Sequence, residues 1–142
     1  MNESINDPSL AMSGWKQRDL PGFVGTIGPL WTKKVGTAWR YGVLTSARHA
    51  NPAGIVHGGF LMSLMDHALS AIAWEHCERK TCVTVQMDCQ FVAAVHPGAF
   101  VEARGHVVRA TASLAFVQGA IFVGDESVLT GSAVMKILVP KD

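Results

Sequence analysis

The clearest pattern in the chain is a strict alternation of apolar and polar residues over positions 83–91. A period of two is typical of a β-strand that buries one face. The alternation assigns five residues to the buried face, namely Val83, Val85, Met87, Cys89 and Phe91. It assigns Thr84 to the polar face that points outward.

Four other segments are rich in aromatic and β-branched residues and end at glycine, proline or polar turns, which predicts further strands. Their expected ranges are Gly36–Ser46, Ala99–Arg109, Leu114–Val123 and Val128–Val139. The strand over positions 83–91 and the last three of these segments follow one another through turns, so we expect an antiparallel meander of four strands. Pro21–Trp31 holds too many glycines and prolines for a regular element, and we expect an ordered cap there.

A different pattern occupies Asn51–Trp74, which begins as a loop and continues from Gly58 with the length and composition of a helix. Asp66 is the only charged residue of this helix, so the helix has no polar face and should lie inside the sheet. The predicted fold is α+β, with an antiparallel sheet wrapped around one long central helix. We expect a flexible N-terminal arm over residues 1–20 and a single domain over residues 21–142.

The composition narrows the choice of partners. Apolar residues make up 49% of the chain and charged residues 16%, which favours an oligomer that hides part of its surface. The net charge of +1 gives no electrostatic reason to expect nucleic acid or a membrane as a partner. Three cysteines without C-x-x-C spacing and a polar N-terminal segment predict reduced thiols, no signal peptide and a cytoplasmic protein.

The presence of Asp66 in an otherwise apolar helix requires an explanation. A carboxylate in apolar surroundings is costly unless it is paired or hydrogen-bonded. One explanation is an interface residue that bonds to a neighbouring strand or to a second subunit. The other is a nucleophile or general base.

The tripeptide His57-Gly58-Gly59 stands at the start of the helix, where free N–H groups favour negative charge. It can stabilise an oxyanion, or the glycines can simply form a tight turn. Gly58 and Asp66 are separated by a helical rise of about 12 Å, whereas reacting groups must lie within about 3 Å of their target atoms. If both act on one carbonyl, they therefore come from two copies related by a two-fold axis.

Other chemistries lack their sequence patterns. The chain contains no G-x-S-x-G, no H-E-x-x-H and no P-loop. We therefore expect no metal site. We interpret His67 as structural, because adjacent residues on a helix do not face each other.

The segment N-P-A-G-I-V-H-G-G-F-L-M-S-L-M-D, from Asn51 to Asp66, resembles the signature of hotdog-fold thioesterases of the phenylacetate-degradation (PaaI-like) type. The order of elements from Gly36 to Val139 also resembles this family. The resemblance implies hydrolysis of an acyl-CoA thioester by a homodimer or a dimer of dimers. It implies no cofactor apart from the coenzyme A of the substrate.

The resemblance also implies roles for single residues. Asp66 matches the catalytic carboxylate, and Gly58 matches the residue whose N–H polarises the thioester carbonyl from the partner subunit. Asn51 and His57 match polar residues near the reacting group and the thiol leaving group. Thr84 matches a hydroxyl residue that holds the attacking water, although the alternation gives it an outward position instead.

Substrate contacts are expected from Gly59 and Met62. Arg109 is the first candidate for binding the phosphates of coenzyme A, and Arg104 is the second. A solvated surface arginine is the alternative for both. The residues expected to line the acyl pocket are Met62, Met65, Trp39 and Phe91. Two other functions on the same fold stay open, a non-catalytic acyl-CoA-binding module and a hydratase or dehydratase.

Overall fold

The computed structural model describes residues 8–140. Its elements in chain order are α1 (Pro8–Met12), β1 (Lys16–Arg18), α2 (Phe23–Ile27), β2 (Leu30–Val35), β3 (Ala38–Leu44), α3 (Gly58–His76), β4 (Cys82–Phe91), β5 (Phe100–Ala110), β6 (Leu114–Val123) and β7 (Glu126–Ile137). A short 3₁₀ turn over Ala47–His49 follows β3.

The seven strands form one antiparallel sheet in the order β1-β2-β3-β5-β6-β7-β4. Helix α3, 19 residues long, packs against every strand from β3 to β7. This confirms the α+β prediction of an antiparallel sheet around one long helix, the hotdog arrangement. The expected meander is confirmed for β5, β6 and β7 and is wrong for β4, which pairs with β7 instead of β5 and therefore lies at one edge of the sheet.

The prediction that Pro21–Trp31 contains no regular element is wrong, although the segment does pack on the core as expected, through Val24 and Ile27. Gly22 and Gly28 flank helix α2 as its N-cap and C-cap, so these glycines bound a regular element and do not disrupt one. Strand β2 begins at Leu30. Its two lysines at positions 33 and 34 interrupt the apolar alternation by which a strand is predicted from sequence.

The N-terminal residues contribute a strand. Lys16–Arg18 pairs with β2 as strand β1, and the buried Trp15 packs edge-on against Phe100 with 4.9 Å between ring centroids. Of the arm predicted over residues 1–20, positions 1–7 lie outside the described residues. The division at residue 20 stays a prediction.

Strand β4 contains a bulge that changes which residues face the helix. Its pairing with β7 shifts register between Thr84 and Gln86, so Val85 is the extra residue. The predicted buried face is therefore wrong in its first half, where Val83 is 42% and Val85 62% exposed, and it is also wrong at its end, where Phe91 is 51% exposed. Met87 and Cys89, beyond the bulge, face the core as predicted.

A row of three glycines lies under α3. Gly105, Gly119 and Gly131 are directly paired neighbours on β5, β6 and β7. A Cβ added at Gly119 would lie 2.5 Å from the carbonyl oxygen of Arg104 and 2.9 Å from Cε of Met65. The helix can approach the sheet this closely only because these positions carry no side chain.

A strip of α3 beside this packed side is not enclosed. Met62, Asp66 and Ser70 are half-buried, and Trp74 is exposed. Residues at this spacing follow one side of a helix. The helix is therefore packed by the sheet on one side and open along another.

Candidate active site

Asp66 lies on the open strip of α3 and is half-buried. The hydroxyl of Thr84 donates a hydrogen bond to its Oδ1 atom at 2.5 Å. Within residues 8–140, no group donates a hydrogen bond to the other oxygen, Oδ2. One carboxylate oxygen is thus held in place while the second keeps its lone pairs for another partner.

Thr84 reaches Asp66 because of the bulge in β4. Ahead of Val85 the even-numbered residues face the helix, whereas beyond it the odd-numbered residues do. The outward position predicted for Thr84 from simple alternation is therefore wrong. Its hydroxyl also lies 3.3 Å from Sδ of the fully buried Met135, its partner on β7.

The first turn of α3 is organised by His57. This residue is the N-cap, and its Nδ1 atom accepts the N–H of Gly59 at 2.8 Å. The geometry therefore assigns the ring proton to Nε2, which is left as a donor. In the part of the chain that the structure describes, the N–H of Gly58 has no acceptor.

Gly58 is also closely packed. A Cβ at this position would lie 3.1 Å from Cε1 of Phe91, a contact tighter than usual. Phe91 ends β4, so this strand runs past both predicted ends of the site: Thr84 lies against Asp66, and Phe91 lies against Gly58.

Asn51 shapes the loop that leads to the helix. Its Oδ1 atom accepts the N–H groups of Ala53 at 2.9 Å and Ile55 at 3.3 Å, and its own N–H donates to Ile55 at 2.7 Å. These bonds give Asn51 a structural role in the turn. They occupy its oxygen and leave its side-chain NH₂ as the group that can face a ligand.

One copy of the chain does not bring the predicted residues into one cluster. Gly58 and Asp66 belong to the same unbroken helix, so the separation of about 12 Å applies. Gly59 and Met62 lie between them on α3. In a single chain, the oxyanion donor and the carboxylate therefore lie too far apart to act on the same carbonyl group.

Arg109 lies away from this helix. It faces the outer side of the sheet, where it lines a groove of about 440 Å³ with Phe116 and Gln118. Arg104 is already paired, because its guanidinium donates to both oxygens of Glu102 at 3.0 and 3.2 Å and stacks on the ring of Phe122. Neither arginine approaches Asp66 within this chain.

The residues suggested for the acyl pocket do not lie together either. Met65 is fully buried against Gly119 and Gly131, so it belongs to the core. Trp39 lines a groove with Ile72 near the other end of α3. Among the described residues, Met62 and Phe91 remain beside the open strip.

Sequence reasoning missed His49, which is 5% exposed and lies in the 3₁₀ turn before the loop. Its Nδ1 accepts the N–H of Ser46 at 3.0 Å and its Nε2 lies 2.7 Å from the carbonyl of Ile27. Burial lowers the pKa of His49 and the charge of Arg48 adds to this, while the hydrogen bonds with Ile27 and Ser46 act in the opposite direction without cancelling it. The surrounding sequence, S-A-R-H-A-N, is as polar as an exposed loop and gives no sign of this burial.

Two further groups near α3 have shifted pKa values. Burial lowers the pKa of His67, which packs edge-on against Tyr41 with 6.0 Å between centroids. Burial, with a smaller contribution from Glu75, raises the pKa of Tyr41 to about 12. Both side chains are therefore neutral near pH 7.

No three metal-binding side chains lie together within residues 8–140. Over the same residues, the helices fall short of the length and apolarity that a membrane span requires.

Comparisons with known proteins agree with the fold. The sequence pattern of the thioesterase superfamily matches residues 53–130. A conserved protein of Pseudomonas aeruginosa is 25% identical, with a TM-score of 0.75 over 84% of this chain and 95% of that chain. No curated protein matches the sequence.

Two more distant structures share the fold. A Bacillus halodurans protein, solved with CoA, has a TM-score of 0.77 at 17% identity, covering 87% of this chain and 83% of that one. The phenylacetic acid degradation protein PaaI of Thermus thermophilus has a TM-score of 0.67 at 21% identity, covering 93% of this chain and all of its own.

Proposed function

This chain belongs to the thioesterase superfamily, and from that premise we propose that it hydrolyses an acyl-CoA thioester to a free acid and coenzyme A. The observation that carries the proposal is Asp66, on the open strip of a helix inside the matched region, with Oδ1 held by Thr84 and Oδ2 without a donor among residues 8–140. The CoA bound to the structurally similar Bacillus halodurans protein supports the choice of thioester.

Two routes use the same carboxylate. In the first, Oδ2 of Asp66 takes a proton from a water molecule whose oxygen attacks the carbonyl carbon, and the C–S bond then breaks. In the second, Oδ2 attacks the carbonyl carbon, coenzyme A leaves as a thiolate, and water hydrolyses the resulting anhydride. Either route gives one carboxylic acid and one thiol for each water consumed.

The negative charge that develops on the carbonyl oxygen needs a donor. The N–H of Gly58 at the start of α3 is suited to this, because it has no acceptor within residues 8–140 and the helix dipole favours an anion there. The Nε2–H of His57 can donate a hydrogen bond to the sulfur of the departing thiolate, and the proton that this sulfur finally takes up comes from the water consumed.

Gly58 and Asp66 can serve one carbonyl if the site is shared between two copies. Strand β4 is suited to form this contact, because it is the edge of the sheet and carries neither lysine nor proline, which usually protect exposed edges. Antiparallel pairing of two β4 strands about a two-fold axis between Met87 and Asp88 would set Thr84 opposite Phe91 of the partner subunit. Thr84 contacts Asp66 and Phe91 lies against Gly58, so the Asp66 carboxylate of each copy would then face the start of α3 in the other copy.

The first test measures free-thiol release from a panel of acyl-CoAs by the wild type and by Asp66→Asn. We expect the substitution to lower turnover at least about 100-fold, the usual scale for a catalytic base. Asp125→Asn makes the same charge change in the exposed β6–β7 turn and should leave turnover unchanged. Unaltered turnover in folded Asp66→Asn protein would refute the role of Asp66, and tight acyl-CoA binding without release by the wild type would favour a binding module.

The second part of the test mixes two inactive variants. Gly58→Pro removes the N–H while respecting the helix start, because proline is favoured at this first helical position and His57 already has the extended backbone that precedes proline, with ψ of 132°. Gly58→Ala is its control, since it keeps the N–H with a similar contact to Phe91. Unfolding and refolding Gly58→Pro together with Asp66→Asn should restore about a quarter of wild-type activity if sites are shared. No restoration in mixed dimers would refute the shared site.

A further inference from the structure

His49 connects three parts of the chain around the start of α3. Its Nε2–H donates to the carbonyl of Ile27 at the end of α2, and its Nδ1 accepts from Ser46. Only the neutral ring with its proton on Nε2 satisfies both bonds. The lowered pKa of His49, which follows mainly from its burial, agrees with this assignment.

His49 also contacts the first turn of α3 at two points, one before and one after the two glycines. Its carbonyl accepts the N–H of His57, the N-cap, at 2.8 Å. Its ring packs against Phe60, with 4.4 Å between centroids at an angle of 46°. Gly58 and Gly59 lie between these two contacts.

We propose that His49 is a positioning residue that aims the N–H of Gly58 at the carbonyl oxygen of the substrate. The inference rests on the proposed function, because it assumes that this N–H binds an oxyanion. Gly58 has no side chain to fix its own orientation, and its N–H finds no acceptor among the residues that the structure describes. The direction of that N–H is therefore set by its neighbours, which His49 holds from both sides.

Positioning of this kind has a kinetic signature. An N–H that binds the oxyanion acts mainly in the transition state, so its misalignment lowers kcat more than it alters KM. A displacement of about 1 Å costs up to about 100-fold in rate. A residue that only stabilises the fold would instead lower the melting temperature and leave both constants of the remaining folded enzyme unchanged.

The experiment compares His49→Phe, His49→Gln and the wild type in steady-state hydrolysis of the best acyl-CoA. His49→Phe keeps a ring against Phe60 but loses both ring hydrogen bonds, and we expect kcat to fall about tenfold with KM within about twofold. His49→Gln keeps a donor for the carbonyl of Ile27 and should recover part of that loss. Thr32→Val, which removes a buried hydroxyl that accepts from Arg18, is the control for general destabilisation and should keep wild-type kcat.

Amide hydrogen exchange gives a second readout that needs no activity. In His49→Phe we expect faster exchange at the N–H groups of Phe60 and Leu61, which bond to His57 in the first turn. Unchanged exchange at these two N–H groups together with an unchanged kcat would overturn the proposal. A kcat in His49→Phe that is no lower than the kcat of Thr32→Val would overturn it too. A wild type that hydrolyses no acyl-CoA would refute the proposed function, whereas the exchange result would still decide whether His49 orders the helix start.

Discussion

One side of α3 is tightly packed against the sheet, whereas another side is open. Toward the sheet, Met65 and Leu69 lie on the glycine row so closely that one added carbon atom would overlap with its neighbours. Toward the open strip, Asp66 is half-buried and one of its oxygens has no partner among the described residues. The packed side fixes the position of the helix, and the open side carries the reactive group.

This difference explains how a carboxylate can be placed accurately without being enclosed. A helix anchored over several turns on one side does not shift when the other side is solvated. Among the described residues, the Thr84 hydroxyl makes the one hydrogen bond that joins Asp66 to β4. The rigid half of the molecule thus supports a site that stays open to a ligand.

The strongest test of the packed side is Gly119→Ala. Its new methyl group would lie 2.5 Å from the backbone oxygen of Arg104, so β5 and β6 would have to move apart. We expect a loss of about 2 kcal/mol in the free energy of unfolding, within the usual cost of overpacking. Urea denaturation measures this loss.

Ser132→Thr is the matched control, because it adds one methyl group to the outer face of β7, beside Gly131. It should change the free energy of unfolding by less than about 0.5 kcal/mol. Equal stability of Gly119→Ala and the wild type would show that α3 is not held as closely as the structure indicates.

The open side is tested by Thr84→Val, which removes the hydrogen bond to Asp66 and keeps the shape of the side chain. A hydrogen bond to a charged group contributes about 1.5 kcal/mol or more, so we expect about a tenfold loss in kcat with little change in the melting temperature. Thr84→Ser keeps the hydroxyl and should retain most of the activity. Full activity in Thr84→Val would mean that Asp66 needs no support from β4.

The smallest effect concerns pH. Burial lowers the pKa of His49 and of His67 from about 6.5, although the charge of Asp66 acts in the opposite direction on His67. Below pH 6.5 the unfolded chain binds protons that the folded chain does not, so stability should fall as the pH falls. Urea denaturation at pH 7.5 and 5.5 measures this slope, and His67→Gln should make it shallower. A slope that stays the same in this variant would show that His67 does not contribute.

Much of this fold follows from the sequence. Leu114–Val123 forms a strand with the predicted bounds, because its apolar residues end at clear turns on both sides. The long helix was evident from its unbroken apolar composition. Strand β2 was missed because its lysines lie at the exposed end, where the alternation is lost.

The site was less predictable than the fold. The bulge at Val85 leaves no trace in an alternating sequence, yet it turns Thr84 toward Asp66. The burial of His49 depends on α2, an element that the glycine-rich sequence concealed. Contacts between segments far apart in the chain decided both cases, and local pattern does not report such contacts.

The glycine row also bears on how the chain reaches this structure. Glycine loses more freedom on ordering than other residues, by about 0.5–1 kcal/mol each relative to alanine, so three aligned glycines weaken the centre of β5, β6 and β7. Their contacts with Met65, Leu69 and Ile72 of α3 offset this loss. The middle of the sheet therefore gains its order when the helix docks, and helix and sheet should appear together in a single cooperative transition.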